Sequence, residues 1–170
     1  MRFSAEGMQP DPLKVEALKT AEPPSNVSGL KSFLGMTNYS SQFIKNYANK
    51  TAKLRELLVE KNKWEWNYAH QKSFETLKHA LQESNVLGCF DTKAITKVIV
   101  DASPTGLGAM LVQTQRTGED KVIAYASRSL NTAENNYSQI ERECLGVYFT
   151  CIRFQMYLLG KMFTKIVEQC

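Results

Sequence analysis

The chain has 170 residues, of which 43% are hydrophobic and 22% charged, with a net charge of +4. Such a length supports a domain-sized core burying roughly 70% of the unfolded surface, and no stretch approaches the roughly 20 apolar residues that cross a bilayer. The opening residues lack the apolar run of a secretory signal, so an intracellular protein, of cytoplasm or nucleus, is expected; the mild positive excess permits nucleic-acid binding without arguing for it.

The first part reads as short helices. Asp11 before Pro12 suits an N-cap and first helical position, with Val15 and Leu18 as the apolar edge. Pro23-Pro24 breaks that helix, and Ser25 or Asn26 can cap the next, in which Val27, Leu30, Phe33 and Leu34 share a face. Phe43, Ile44 and Tyr47 suggest another short helix, and Leu54, Leu57 and Leu58 a further one. Nothing in this part alternates as a strand does. Trp64-Glu65-Trp66 then punctuates the chain, and Asn67 caps a helix carrying Phe74, Leu77 and Leu81 that fades near Ser84-Asn85.

Beyond Leu87 the pattern turns to β. Lys97 to Asp101 reads as one strand and Gly106 to Gln115 as a second, with Leu107, Ala109, Leu111 and Gln113 on one face. After a turn at Arg116–Asp120, Lys121 to Ser127 completes an antiparallel meander. Ser138 and Glu141 form a capping box. The helix they open carries Ile140, Cys144, Val147, Tyr148, Cys151 and Leu158 on one face and ends near Gly160. Phe163 to Val167 starts a fourth strand. A helix packed across a meander, after a helical module, makes an α+β protein.

The four cysteines, Cys89, Cys144, Cys151 and Cys170, form no Cys-x-x-Cys pair, which argues against zinc. Cys144 and Cys151 read as small core residues of the helix. The chemistry-bearing pair is Asp101, at a strand end, and Glu143, within the long helix. Two such carboxylates can hold a divalent metal against a phosphate. Taken alone, a strand-end aspartate is more often a turn former and a helix glutamate more often solvated. Trp64 and Trp66 suit packing between modules better than base stacking. Lys45, Lys50, Lys53 and Arg55 suit a phosphate track or simple solvation equally.

Several stretches occur in a distinctive order: Glu6-Gly7-Met8-Gln9-Pro10-Asp11-Pro12; Phe33-Leu34-Gly35-Met36-Thr37-Asn38-Tyr39; Trp64-Glu65-Trp66. After these come Asp101-Ala102-Ser103 with Gly106-Leu107-Gly108-Ala109, Ala124-Tyr125-Ala126-Ser127-Arg128-Ser129-Leu130, and Asn136-Tyr137-Ser138 leading into Glu141-Arg142-Glu143-Cys144-Leu145. Together they resemble the Pol polyprotein of gypsy-type long-terminal-repeat retrotransposons, from the end of the reverse transcriptase palm into the RNase H domain. The resemblance implies a palm remnant at 1–10, a thumb-like helical module at 11–62 and a partial RNase H-like domain at 63–170. It also implies a place beside the rest of the Pol polyprotein, and an RNA–DNA hybrid or nucleic-acid duplex as partner.

In that family two Mg²⁺ ions, or Mn²⁺, serve RNA-strand hydrolysis, and the positions matching their ligands are Asp101 and Glu143. Glu141 is a poorer candidate because the capping box uses it. The third ligand of the family is an aspartate at the end of the fourth strand, where this chain offers Glu168. The polymerase's paired aspartates do not occur, so nucleotide addition by this chain is not expected. With the third carboxylate near a chain end and no later elements to brace it, the chain is expected to be at best a feeble nuclease. The alternative is a non-catalytic nucleic-acid-binding or interaction module.

Overall fold

The computed structural model describes residues 1–4, 7–59, 62–83 and 86–168. The expected helix end at Ser84-Asn85, and Cys170, lie outside these. Two short strands open the chain, β1 (Arg2–Ser4) and β2 (Gly7–Gln9), paired antiparallel where the sequence showed no alternation. Three-residue strands are too short for a period to be read. The hairpin is pinned by Met8, whose N–H donates to the Leu87 carbonyl at 2.8 Å and whose carbonyl accepts from Leu87 N–H at 2.9 Å.

The helices start where side chains satisfy their free amides. The Asp11 carboxylate accepts from Leu13 N–H at 3.0 Å and opens α1 (Pro12–Lys19). Asn26, not Ser25, caps α2 (Val27–Tyr39), its Oδ1 accepting from Gly29 N–H at 2.8 Å. The helix expected across Phe43–Tyr47 is instead split: a 3₁₀ turn covers Ser41–Phe43, and α3 (Tyr47–Glu56) follows. Asn46 makes the break by adopting φ 54°, a left-handed conformation that asparagine tolerates better than most residues. Asn67 and His70 cap each other at the start of α4 (Tyr68–Gln82), the Asn67 N–H donating to His70 Nδ1 at 3.2 Å.

These helices share one core, in which Leu18, Leu30, Phe33, Leu54, Phe74, Leu77 and Leu81 are buried. Phe33 and Phe74 lie 4.7 Å apart, ring to ring. Trp66 meets Phe74 edge-on at 6.0 Å, and Trp64 stacks on Trp66 at 6.0 Å. The tryptophans, each partly buried, therefore pack against the helical core itself. α4 buries its apolar face in this cluster as well, although a boundary at 62/63 would group it with the sheet. Tyr47 is buried between them with its hydroxyl 2.8 Å from Thr37 Oγ1, and burial pushes its phenol above the usual range.

The sheet has four strands in the order β5-β4-β3-β6: β3 (Ile95–Ala102), β4 (Gly106–Thr114), β5 (Asp120–Ser129) and β6 (Phe163–Glu168). The first three form the expected meander, and β6 pairs parallel to β3 after the crossover through α5 (Gln139–Arg153) and the one-turn α6 (Gln155–Leu158). β3 alternates strictly, with Thr96, Val98, Val100 and Ala102 buried on the face covered by α5. β4 is buried on both faces, because α5 lies on one side and α3 on the other. Gln113 is wholly buried and satisfied: its amide NH₂ donates to the Asp91 carbonyl and Thr96 Oγ1, and its Oε1 accepts from Asp91 N–H.

The face of α5 differs from expectation. Gly146 and Thr150 are buried, and Leu145 and Phe149 pack on the sheet, whereas Ile140 and Tyr148 are 73% and 66% exposed. Cys144 and Cys151 are exposed free thiols rather than core residues. The apolar and small residues of this helix occupy more than one stripe, and Gly146 selects the buried one. A β-carbon there would come 2.8 Å from Val100 Cγ1, so the helix can sit closest to the sheet along that line. Among the described residues, no helix is long and apolar enough to cross a membrane.

Candidate functional site

Asp101 lies one residue before the end of β3, in register with Gly108 of β4 and Glu168 of β6. Because Val100 and Ala102 point toward α5, strand alternation turns Asp101 to the other face. There the helical module waits. Asn46 Nδ2 donates to Asp101 Oδ2 at 2.7 Å, at the short end for a charge-assisted bond.

The Gly106-Leu107-Gly108 motif now has a physical reason. The two glycines share the Asp101 face of β4 and leave it bare, so that α3 can approach the backbone. A β-carbon on Gly108 would overlap Asn46 Oδ1, and one on Gly106 would stand 2.6 Å from Asn49 Oδ1 and 2.9 Å from the Arg128 carbonyl. Asn49 Nδ2 donates to Ser103 Oγ at 3.1 Å. Ala48 N–H donates to Ser127 Oγ at 3.0 Å, on the strand beyond Gly108. The first turn of α3 thus spends one free amide and two asparagine side chains on the sheet. Asn46 and Asn49 lie outside the motifs read from the sequence, while Ser103 and Ser127 lie within two of them without a role of their own. The paired glycines, and the asparagines three apart (Asn46 and Asn49), are the signal that could have found them.

Glu143 sits on α5, half-buried, with its Oε1 accepting from Gln139 Nε2 at 3.1 Å. Leu145 packs near Ala102 and Leu107, while Phe154 and Leu158 pack near Val98 and Leu111. The helix therefore runs antiparallel to β3, and Glu143 lies at the same end of the strand as Asp101 but on the helix-covered side. Glu168 is opposite Asp101 by backbone register, and its side chain lies outside what the structure describes. Glu141 is held by its cap: its Oε2 accepts from Ser138 N–H at 2.7 Å, and that bond lowers its carboxyl below the usual range.

These positions test whether a divalent metal fits. Magnesium keeps several waters and prefers hard oxygen ligands in an octahedron. The cavity beside Asp101 measures about 10 Å³ and is lined by Lys45, Asn46, Ile99, Gly108, Ala109 and Met110. That space is about what one water requires, and Asn46 on its rim turns its amide donor to Asp101. Among the described residues, no group of three or more His, Cys, Asp and Glu side chains is placed to hold a metal ion. The surroundings of Asp101 suit a hydrogen-bonded carboxylate and do not fit a hydrated cation. Of the basic residues on the helical module, Lys53 pairs with Glu56 at 3.0 Å and Arg55 Nε donates to Thr51 Oγ1 at 3.1 Å. Lys45 is exposed and lines the cavity beside Asp101.

Residues 66–165 match the family described as the RNase H-like domain found in reverse transcriptase. Over 96% of its length the chain is 36% identical to the retrovirus-related Pol polyprotein from transposon opus of Drosophila melanogaster, of which it covers 17%. It is 30% identical to the Pol polyprotein from transposon gypsy of the same species, covering 92% of this chain and 16% of that one. The chain thus spans about a sixth of the length of these relatives. Among solved structures, the foamy viral protease-reverse transcriptase in complex with an RNA/DNA hybrid has the same fold over 97% of this chain and 22% of that one, with TM-score 0.80 and 22% identity. The fold, the ordered motifs and the matched span agree, and the chain belongs to the family of RNase H-like domains found in reverse transcriptase.

Proposed function

We propose that the chain acts as the thumb-like and RNase H-like part of a Pol polyprotein, gripping an RNA–DNA hybrid or a DNA duplex while the polyprotein carries out RNA-directed DNA synthesis. The observation that carries this reading is the extent of the likeness to the transposon polyprotein: it covers 96% of the chain and so runs through the helical module as well as the sheet. The two parts also pack as one body through Asn46, Ala48 and Asn49, so a duplex gripped by one is held in fixed relation to the other. Grip of this kind rests on phosphate contacts by exposed lysines such as Lys45, which release counterions.

A second reading assigns hydrolysis of the RNA strand to Asp101, Glu143 and Glu168 with magnesium. Its support is the register that sets Glu168 beside Asp101. It requires the helical module to leave the Asp101 face, and the docked arrangement supplies no step of it.

The test uses labelled RNA–DNA hybrid and DNA duplex, titrated with purified chain at low and rising salt in magnesium. The proposed grip gives binding that weakens steeply with salt and no cleavage above an Asp101→Asn control. Undetectable or salt-independent binding overturns it. Cleavage abolished by Asp101→Asn replaces it with the hydrolytic reading.

A further inference from the structure

We infer that Asp101 is the anchor of a lock between the helical module and the sheet, and that docking of the module excludes divalent-cation coordination at that carboxylate. The inference concerns this chain's own contacts and stands apart from nucleic-acid binding, so the failure of one does not decide the other.

Three independent features converge on the lock. The carboxylate accepts an amide N–H from Asn46 at 2.7 Å, and Asn46 is itself fixed by a left-handed backbone at the start of α3. Gly108, directly across from Asp101, has no side chain where Asn46 Oδ1 rests. Asn49 repeats the arrangement one helical turn on, against Ser103 and Gly106. An i, i+3 pair of asparagines thus fits two bare glycines and their neighbours on one strand face.

The chemistry of the lock is that of hydrogen-bond donors arranged round an anion. A cation entering the same space meets the Asn46 NH₂ group in a cavity of about 10 Å³ that Lys45 also lines. It also finds Glu143 on the side of the sheet that α5 covers. For a hydrated metal to take Asp101 Oδ2, the Asn46 amide has to swing away. Each state therefore weakens the other by linkage.

The experiment is a double-substitution cycle with Asn46→Ala, Asp101→Ala and both together, followed by chemical denaturation with and without 10 mM Mg²⁺ (about physiological excess). Each single substitution lowers the folding constant by roughly tenfold to a hundredfold, and the double falls no further than the worse single. Magnesium leaves the wild-type midpoint unchanged. Additive single effects overturn the lock, and so does a magnesium-dependent midpoint shift that Asp101→Ala abolishes. If Asp101→Ala does not fold, Asn46→Ala alone decides by hydrogen exchange. Faster exchange in both 47–51 and 106–109 supports the lock, and exchange confined to 47–51 overturns it.

Discussion

Asn46 Nδ2 and Asp101 Oδ2 lie 2.7 Å apart across a sequence separation of 55 residues, joining the start of α3 to the end of β3. One contact ties the left-handed break between helices to the aspartate of the Asp-Ala-Ser motif. Its geometry depends on residues that carry no chemistry of their own.

Gly108 and Gly106 are the first of these. An alanine at Gly108 pushes only the end of the Asn46 side chain, so its cost is the lost bond to a carboxylate, about 1.5–3 kcal/mol. An alanine at Gly106 also meets the Arg128 carbonyl at 2.9 Å, and backbone cannot turn aside. Gly106→Ala is expected to be the more damaging in urea denaturation. Equal or smaller loss than Gly108→Ala contradicts the close approach described at that position.

Gln113 holds the loop before β3 to the sheet through both backbone groups of Asp91, at 2.9 Å and 2.8 Å. Gln113→Leu keeps most of the volume but leaves those groups and Thr96 without it. The expected loss is about 2–4 kcal/mol, checked by thermal and urea unfolding. A change below about 0.5 kcal/mol would mean that water replaces the amide freely.

Arg128 grips Glu134 with two bonds, at 2.6 Å and 2.9 Å, while Asn131 N–H adds a third to Glu134 at 2.9 Å. The Arg128 guanidinium, then the Asn131 amide, holds the Glu134 carboxyl below its ordinary 4.5. A depressed folded value means that the stabilisation is present in full above the unfolded value and disappears as pH falls through the folded one. Wild-type stability should therefore decline with acidification below about pH 4.5, and Glu134→Gln should flatten part of that decline. An unchanged pH profile in Glu134→Gln contradicts the assignment. Solvent access at this site keeps the effect small.

The outward stripe of α5 and α6 provides a contrasting test. Ile152 and Met156 are 57% and 91% exposed, so Ile152→Lys and Met156→Glu should alter stability by less than about 0.5 kcal/mol. Light scattering should show less self-association at the same concentration. A loss above about 2 kcal/mol would show that these side chains are buried after all.

Much of the fold was legible because local chemistry decides it. Asp11, Asn26, Asn67 and Ser138 each cap the helix that their spacing indicated. The meander followed from alternation in β3, where one buried face imposes a period of two, and from the turn that separates β4 from β5. The buried face of α5 does not follow from periodicity because apolar residues lie on more than one stripe of that helix, and what chooses among stripes is the closeness that Gly146 permits. The hairpin at Arg2–Gln9 was too short to leave a pattern. At the candidate site, the carboxylates could be named from the ordered motifs, but what faces them could not. The relation of Asn46 to Asp101 depends on how the helical module docks, and no local periodicity encodes contacts between modules.

The helical module covers and engages Asp101. Nuclear magnetic resonance with substoichiometric Mn²⁺ reads this arrangement residue by residue, because the ion broadens only the amides near where it binds. The docked arrangement predicts that the Asp101 and Gly108 signals keep their intensity while exposed carboxylates elsewhere account for any general loss. Selective disappearance of Asp101, Glu143 and Glu168 signals together would contradict it.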